Sequence, residues 1–100
     1  MRFRVRLDPD AAAPILRALP PTTKRMIRES LRALAEDPSG VSNRLDVRQL
    51  DREPKEPHVF RLRMGDWRAV FVVRGAEVLV IRIFPRSDGY GWMERLDLRP

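Results

Sequence analysis

A chain of 100 residues, 43% of them hydrophobic, suits one domain with one modest core and leaves no room for a second. Twenty Lys+Arg against 14 Asp+Glu give +6, nearly all of it arginine, whose planar fork matches phosphate; the excess points to a polyanion or an acidic protein, or to a solvated surface. The absence of cysteine removes disulfides, thiol catalysis and cysteine-bound metals, and the single histidine, His58, excludes a histidine metal cluster or an acid–base histidine pair.

The N-terminus "MRFRVRLD" alternates Phe3, Val5 and Leu7 with Arg2, Arg4 and Arg6, so it reads as a strand with one wet face, not as a signal-peptide core. No apolar run approaches a membrane span, and the expected location is the cytoplasm, with no membrane partner. "DPDAAAPILRALPP" predicts a short helix capped by Asp8 or Asp10, with Pro14 in the first turn and Pro20-Pro21 as its end. A second, stronger helix is expected from a Thr22 cap, with Met26, Ile27, Ser30, Leu31, Leu34 and Ala35 on one face and Asp37-Pro38 as its stop. Leu45 to Leu50 is a weaker strand, and "DREPKEP" is a charged connector.

"VFRLRMGDWRAVFVV", Val59 to Val73, then reads as a hairpin turning at Gly65-Asp66. Simple register places Met64 opposite Trp67, Arg63 opposite Arg68, Arg61 opposite Val70 and Phe60 opposite Phe71. One face is Phe60, Leu62, Met64, Trp67, Ala69, Phe71 and Val73; the other carries valines at its far end and three arginines near the turn. Facing like charges cost about 0.2–1 kcal/mol, so an anion is expected there.

"EVLVIRIF", Glu77 to Phe84, is a central-strand run interrupted by Arg82. A two-residue loop at Gly75-Ala76 would turn Arg82 to the apolar face, whereas a three-residue loop or a bulge turns it to the arginine face. The second is preferred, because an unpaired arginine among Phe60, Phe71 and Val73 would be expensive. The tail predicts a loop and a short terminal helix around Trp92 to Leu98. The order strand, helix, helix, then hairpin-linked strands gives an α+β fold: an antiparallel twisted sheet of about four to five strands, an N-terminal helical hairpin on one face and a short C-terminal helix.

Taken together, "FRVRLDPDAAAPILRALP", "LRALAEDP", "VFRLRMGDWRAVFVV" and "VLVIRIFPRSDGY" resemble the RelE/ParE superfamily of toxin–antitoxin toxins over most of the chain. The resemblance implies a RelE-like fold over residues 1–100, a cognate antitoxin, no cofactor, and often ribosome-dependent cleavage of mRNA. A toxin–antitoxin heterotetramer is one assembly it allows. Metal-free RNA cleavage needs a base for the ribose 2′ proton, cations for the phosphorane charge and an acid for the leaving oxygen. Without a histidine pair, arginine electrostatics and a tyrosine must do most of this, arginine being too poor a base to do more than clamp and stabilise charge.

By position, Arg68 matches the charge-stabilising arginine after the hairpin turn, and Arg61 a catalytic basic residue on the preceding strand. Arg86 and Tyr90 match the arginine and tyrosine of the family ending, Tyr90 as stacking or proton-transfer group, with Arg63 and Arg82 as further phosphate contacts. Pro85 stands where that ending often has a basic residue, Phe84 where some nucleases have arginine, and Gly89 and Gly91 flank Tyr90. The rival readings are a ParE-like inhibitor of DNA gyrase without chemistry of its own, and a degenerate toxin keeping only antitoxin or ribosome binding. For the arginines the plain alternative is solvation or pairing with Asp66 and acidic loop residues; for Trp67 and Trp92 it is packing.

Overall fold

The computed structural model describes residues 2–50 and 57–88. The elements are β1 (Arg4–Leu7), α1 (Ala13–Ala18), α2 (Pro21–Glu36), β2 (Asp46–Gln49), β3 (Val59–Met64), β4 (Trp67–Arg74) and β5 (Glu77–Pro85). The five strands form one sheet in the order β1-β5-β4-β3-β2. The expected terminal helix, Tyr90 and most of the "DREPKEP" connector lie outside the described residues.

Both helix starts differ from the caps expected. Asp8 does not cap α1; its Oδ1 accepts the N–H groups of Asp10 at 2.9 Å and Ala11 at 2.8 Å, holding the turn ahead of the helix, while Ala12 is the N-cap. Thr22 lies inside α2, which starts at Pro21 after the N-cap Pro20. Proline suits the first turn because it has no N–H to leave unpaired and its φ is already helical.

The face of α2 built on Ile27, Leu31, Leu34 and Ala35 is buried. Together with Ala12 and Leu16 it covers one face of the sheet, meeting Leu62, Met64, Ala69, Phe71, Val78, Val80 and Ile83. Phe60, Trp67 and Val73 pack at the margin of this core, so the apolar face read from the hairpin is the helix-covered one. Phe60 and Phe71 stack across β3 and β4 with centroids 5.5 Å apart and planes at 22°.

The sheet is mixed, not antiparallel throughout: β1 runs parallel to β5, with Val5 beside Val78 and Leu7 beside Val80. A parallel neighbour needs a long crossover, and α1 and α2 help supply it. Alternation had fixed which side of β1 is apolar; it carries no information on which strand lies beside it or in which direction.

The segment after α2 is closed by one carboxylate. Asp37 Oδ1 accepts from the N–H and hydroxyl of Ser39 at 3.1 and 2.6 Å, and Oδ2 from the N–H and hydroxyl of Ser42 at 2.9 and 2.7 Å. Asn43 Nδ2 donates to the carbonyls of Ala33 and Asp37, which also accept from the backbone N–H groups of Asp37 and Gly40, tying the segment to the end of α2. The Ser39 hydroxyl, then the Ser42 N–H and hydroxyl, hold the Asp37 carboxyl well below the ordinary carboxylate range. Its folded-state pKa is thus depressed, so its stabilisation is present above the unfolded value of about 4 and is lost as pH falls toward the folded value. Thermal melts of Asp37→Ala should show a lower Tm than the parent at pH 7, with the gap narrowing as the pH is taken below about 4.

Candidate functional site

The β3–β4 hairpin turns at Gly65-Asp66 with the register expected, from Met64 opposite Trp67 to Phe60 opposite Phe71. Gly65 has φ +61, and among the described non-glycine residues only Arg44 has a positive φ, so the turn takes the type II′ form with glycine at its first position. Arg63 therefore faces Arg68, and Arg61 faces Val70, on the side of the sheet away from the helices.

The position of Arg82 is decided by both devices weighed in the sequence. The β4–β5 turn is a two-residue one, since Arg74 pairs with Glu77, and a bulge between Val70 and Phe71 then resets the register. Val70 pairs with Arg82 while Phe71 pairs with Val80, leaving Ile81 as the extra residue. Arg82 is thereby on the arginine face, with Ile83 returned to the core.

Two adjacent rows cross the sheet on this face. One reads Arg48, Arg61, Val70, Arg82; the next, toward the hairpin turn, reads Asp46, Arg63, Arg68, Phe84. The same face holds a second buried apolar cluster of Val59, Val70, Val72, Ile81 and Phe84, which runs from beside Arg68 to the far end of the hairpin. Arg48, Arg61, Arg63, Arg68 and Arg82 occupy the two rows nearest the turn, while Arg4, Arg6 and Arg74 lie with Glu77 at the far end of the same face.

Arg61 is the best-held of them. Its side chain is 13% exposed, and Nη2 donates to Asp46 Oδ1 at 2.7 Å, with the aspartate 53% exposed. Nε is buried with no hydrogen-bond partner among the described residues. A buried donor without an acceptor is costly, and it is the Nη edge of Arg61, not Nε, that faces outward for a ligand. Arg68 is drawn against the turn: Nη1 donates to the carbonyls of Gly65 at 3.0 Å and Trp67 at 3.1 Å, leaving the remainder of its fork for a ligand. Arg63 is exposed beside it.

Arg86 follows β5 and reaches the same end of the sheet. Its N–H donates to the Asp66 carbonyl at 2.8 Å, and its guanidinium lies 3.8 Å from the Asp66 carboxylate. The structure thus gathers Arg61, Arg63, Arg68 and Arg82 on one face and sets Arg86 at its turn end. Asp46 and Arg48 were not picked out from the sequence. Their signal is in "LDVRQL", where both fall on the side opposite Val47, but only pairing of β2 with β3 makes them neighbours of Arg61. No group of three metal-ligating side chains occurs among the described residues.

The family model described as the ParE toxin of type II toxin–antitoxin system parDE matches residues 5–90. The chain belongs to this toxin family. No curated protein matches it. Solved structures similar to this toxin include the archaeal RelE–RelB complex of Pyrococcus horikoshii OT3, with TM-score 0.73 and 23% identity, covering 89% of this chain and 100% of the other. The RelBE2 toxin–antitoxin complex of Mycobacterium tuberculosis matches with TM-score 0.67 and 24% identity over 86% of this chain and 100% of the other. The RelB–RelE complex of Methanococcus jannaschii gives 0.59 and 15%, over 80% and 88%. At these identities the likeness is one of fold, and it makes this toxin's α+β architecture RelE-like.

Proposed function

We propose that this toxin inhibits translation by cleaving mRNA on the ribosome, with the arginine face as its working surface, and that a cognate antitoxin neutralises it. The observation that carries the reading is the arginine cluster itself. The bulge and the hairpin turn place Arg61, Arg63, Arg68 and Arg82 on one face, and Asp46 holds the Arg61 guanidinium there. In the reaction, the ribose 2′-oxygen bonds to the adjacent phosphorus as its proton departs, the 5′-oxygen leaves and is protonated, and a cyclic phosphate remains. Arg61 and Arg68 stabilise the negative charge gathering on the phosphorane, each as a fixed cation that needs no proton transfer. Arg63 and Arg82 seat the flanking phosphates. Arg86 and Tyr90 complete the set by the family ending, Tyr90 stacking on a base or moving a proton. The solved complexes of RelE with RelB support an antitoxin partner. No helix among the described residues is long and apolar enough to cross a membrane.

A second reading has its own support: the matching family model is that of ParE, and Phe84 and Pro85 replace basic residues of the nuclease ending. On that reading the protein traps DNA breaks on gyrase and leaves mRNA intact. Primer extension on a defined mRNA, with purified ribosomes and with the RNA free, separates the two. Cuts confined to the ribosomal A site are expected. Intact RNA at excess protein, with gyrase-linked DNA breaks, would replace the nuclease reading by the second.

A further inference from the structure

On the side of the molecule opposite the arginine face, the solvent surface of α2 carries a second run of positive charge. Lys24, Arg25, Arg28 and Arg32 line one shallow depression with Pro21 and Glu29. Arg25, Arg28 and Arg32 are exposed, and none of the four cations forms an ion pair among the described residues. Their spacing works against the helix: Lys24, Arg28 and Arg32 are successive i,i+4 neighbours of like charge. The first turn has no acidic residue, so Lys24 adds positive charge at the positive end of the macrodipole. Glu29, at i,i+4 from Arg25 and i,i+3 from Arg32, is one negative charge against four positive ones, and the buried face of α2 is built on other residues, Ile27, Leu31, Leu34 and Ala35.

An acidic protein partner would need an apolar anchor at the centre of its contact. This depression offers no large apolar side chain, only guanidinium and ammonium groups around one proline and one glutamate; Arg28 and Arg32 also border a separate groove with Leu7, Leu16 and Leu31, but Lys24 and Arg25 do not. Backbone phosphates ask for no more than such donors, repeated at intervals. Four-residue steps along a helix advance about 6 Å, of the order of the separation of successive phosphates in a nucleic-acid strand.

We infer that the outer face of α2 is a second nucleic-acid backbone site, separate from the arginine face, so that the toxin holds phosphates on two opposite sides. The inference stands whether or not the arginine face cleaves RNA, and its test uses an RNA that cannot be cleaved. A fluorescein-labelled 2′-O-methyl oligoribonucleotide of mixed sequence is titrated by anisotropy with the intact protein, between roughly 50 and 200 mM NaCl.

The triple variant Arg25→Gln, Arg28→Gln, Arg32→Gln is expected to bind at least about tenfold more weakly, with the salt dependence of log K reduced by about 2 in slope. Gln is a good helix former, and an unchanged circular dichroism spectrum checks that α2 persists. The matching triple Lys variant is expected to bind as the parent does, because charge and not fork geometry carries the contact. Parent-like affinity and slope in the triple Gln variant would overturn the inference, leaving a solvated stripe. Unchanged RNA binding with lost binding of a labelled acidic peptide would overturn it in favour of a protein partner. Equal loss in the Gln and Lys triples would also overturn it, by removing charge as the cause.

Discussion

Arg61→Ala is expected to slow cleavage of ribosome-bound mRNA by at least about 100-fold while leaving a folded protein. Removing one preorganised charge-stabilising donor from a reacting centre typically costs two to three orders of magnitude in rate. Arg61 is preorganised in this sense: Asp46 fixes Nη2 at 2.7 Å and the side chain is only 13% exposed, so the guanidinium plane is held in one orientation on the arginine face. The structural cost should be small. Asp46 is 53% exposed and is left solvated, so losing the pair costs about 1 kcal/mol or less, to which some packing of the arginine stem adds. Arg61→Lys should recover only part of the rate, since an ammonium cannot hold Asp46 and a phosphate oxygen in one plane. Single-turnover cleavage rates, read beside a thermal melt, check both halves. A folded Arg61→Ala protein that cleaves at the parental rate would remove Arg61 from the reaction.

The second large effect is on stability. Phe71 is fully buried, stacks on Phe60 and lies in the cluster that joins the sheet to α2. Phe71→Ala should cost about 3–5 kcal/mol, from the lost burial, the cavity left behind and the lost ring contact. Domains of this size are stable by only about 5–15 kcal/mol, so the variant is expected to lie near its unfolding threshold. Urea titration should show the midpoint fall steeply with the slope unchanged. A midpoint within experimental error of the parent would mean that the helix-covered face has been misassigned.

How much of this was legible in the sequence varied with the kind of interaction involved. The hairpin register was, because the Gly65-Asp66 turn fixes which residues face each other and period-two alternation fixes their side. The side taken by Arg82 followed from energetics: a charge placed among Phe60, Phe71 and Val73 is too costly, and the bulge at Val70/Phe71 is how the chain avoids it. The buried second cluster is foreshadowed in the near-continuous apolar run of Glu77 to Phe84, which a strand covered on both faces requires.

What alternation does not encode is the neighbour. The parallel seat of β1 beside β5, and the pairing that sets Asp46 and Arg48 beside Arg61, depend on contacts between segments far apart in the chain. Local hydrogen bonding was also missed where a competing partner lay close by. Asp8 holds the preceding turn instead of capping α1, and Arg68 bends to the carbonyls of Gly65 and Trp67.

The central claim, that the arginine face of the sheet acts on translated RNA, is tested most directly in a translation system reconstituted from purified components and lacking DNA gyrase. The parent protein is expected to stop synthesis from a single defined message and to leave that message cut within codons. The Arg61→Ala protein, at the same concentration, should leave synthesis and message intact. Full-length product and uncut message in the presence of excess folded parent protein would contradict the account.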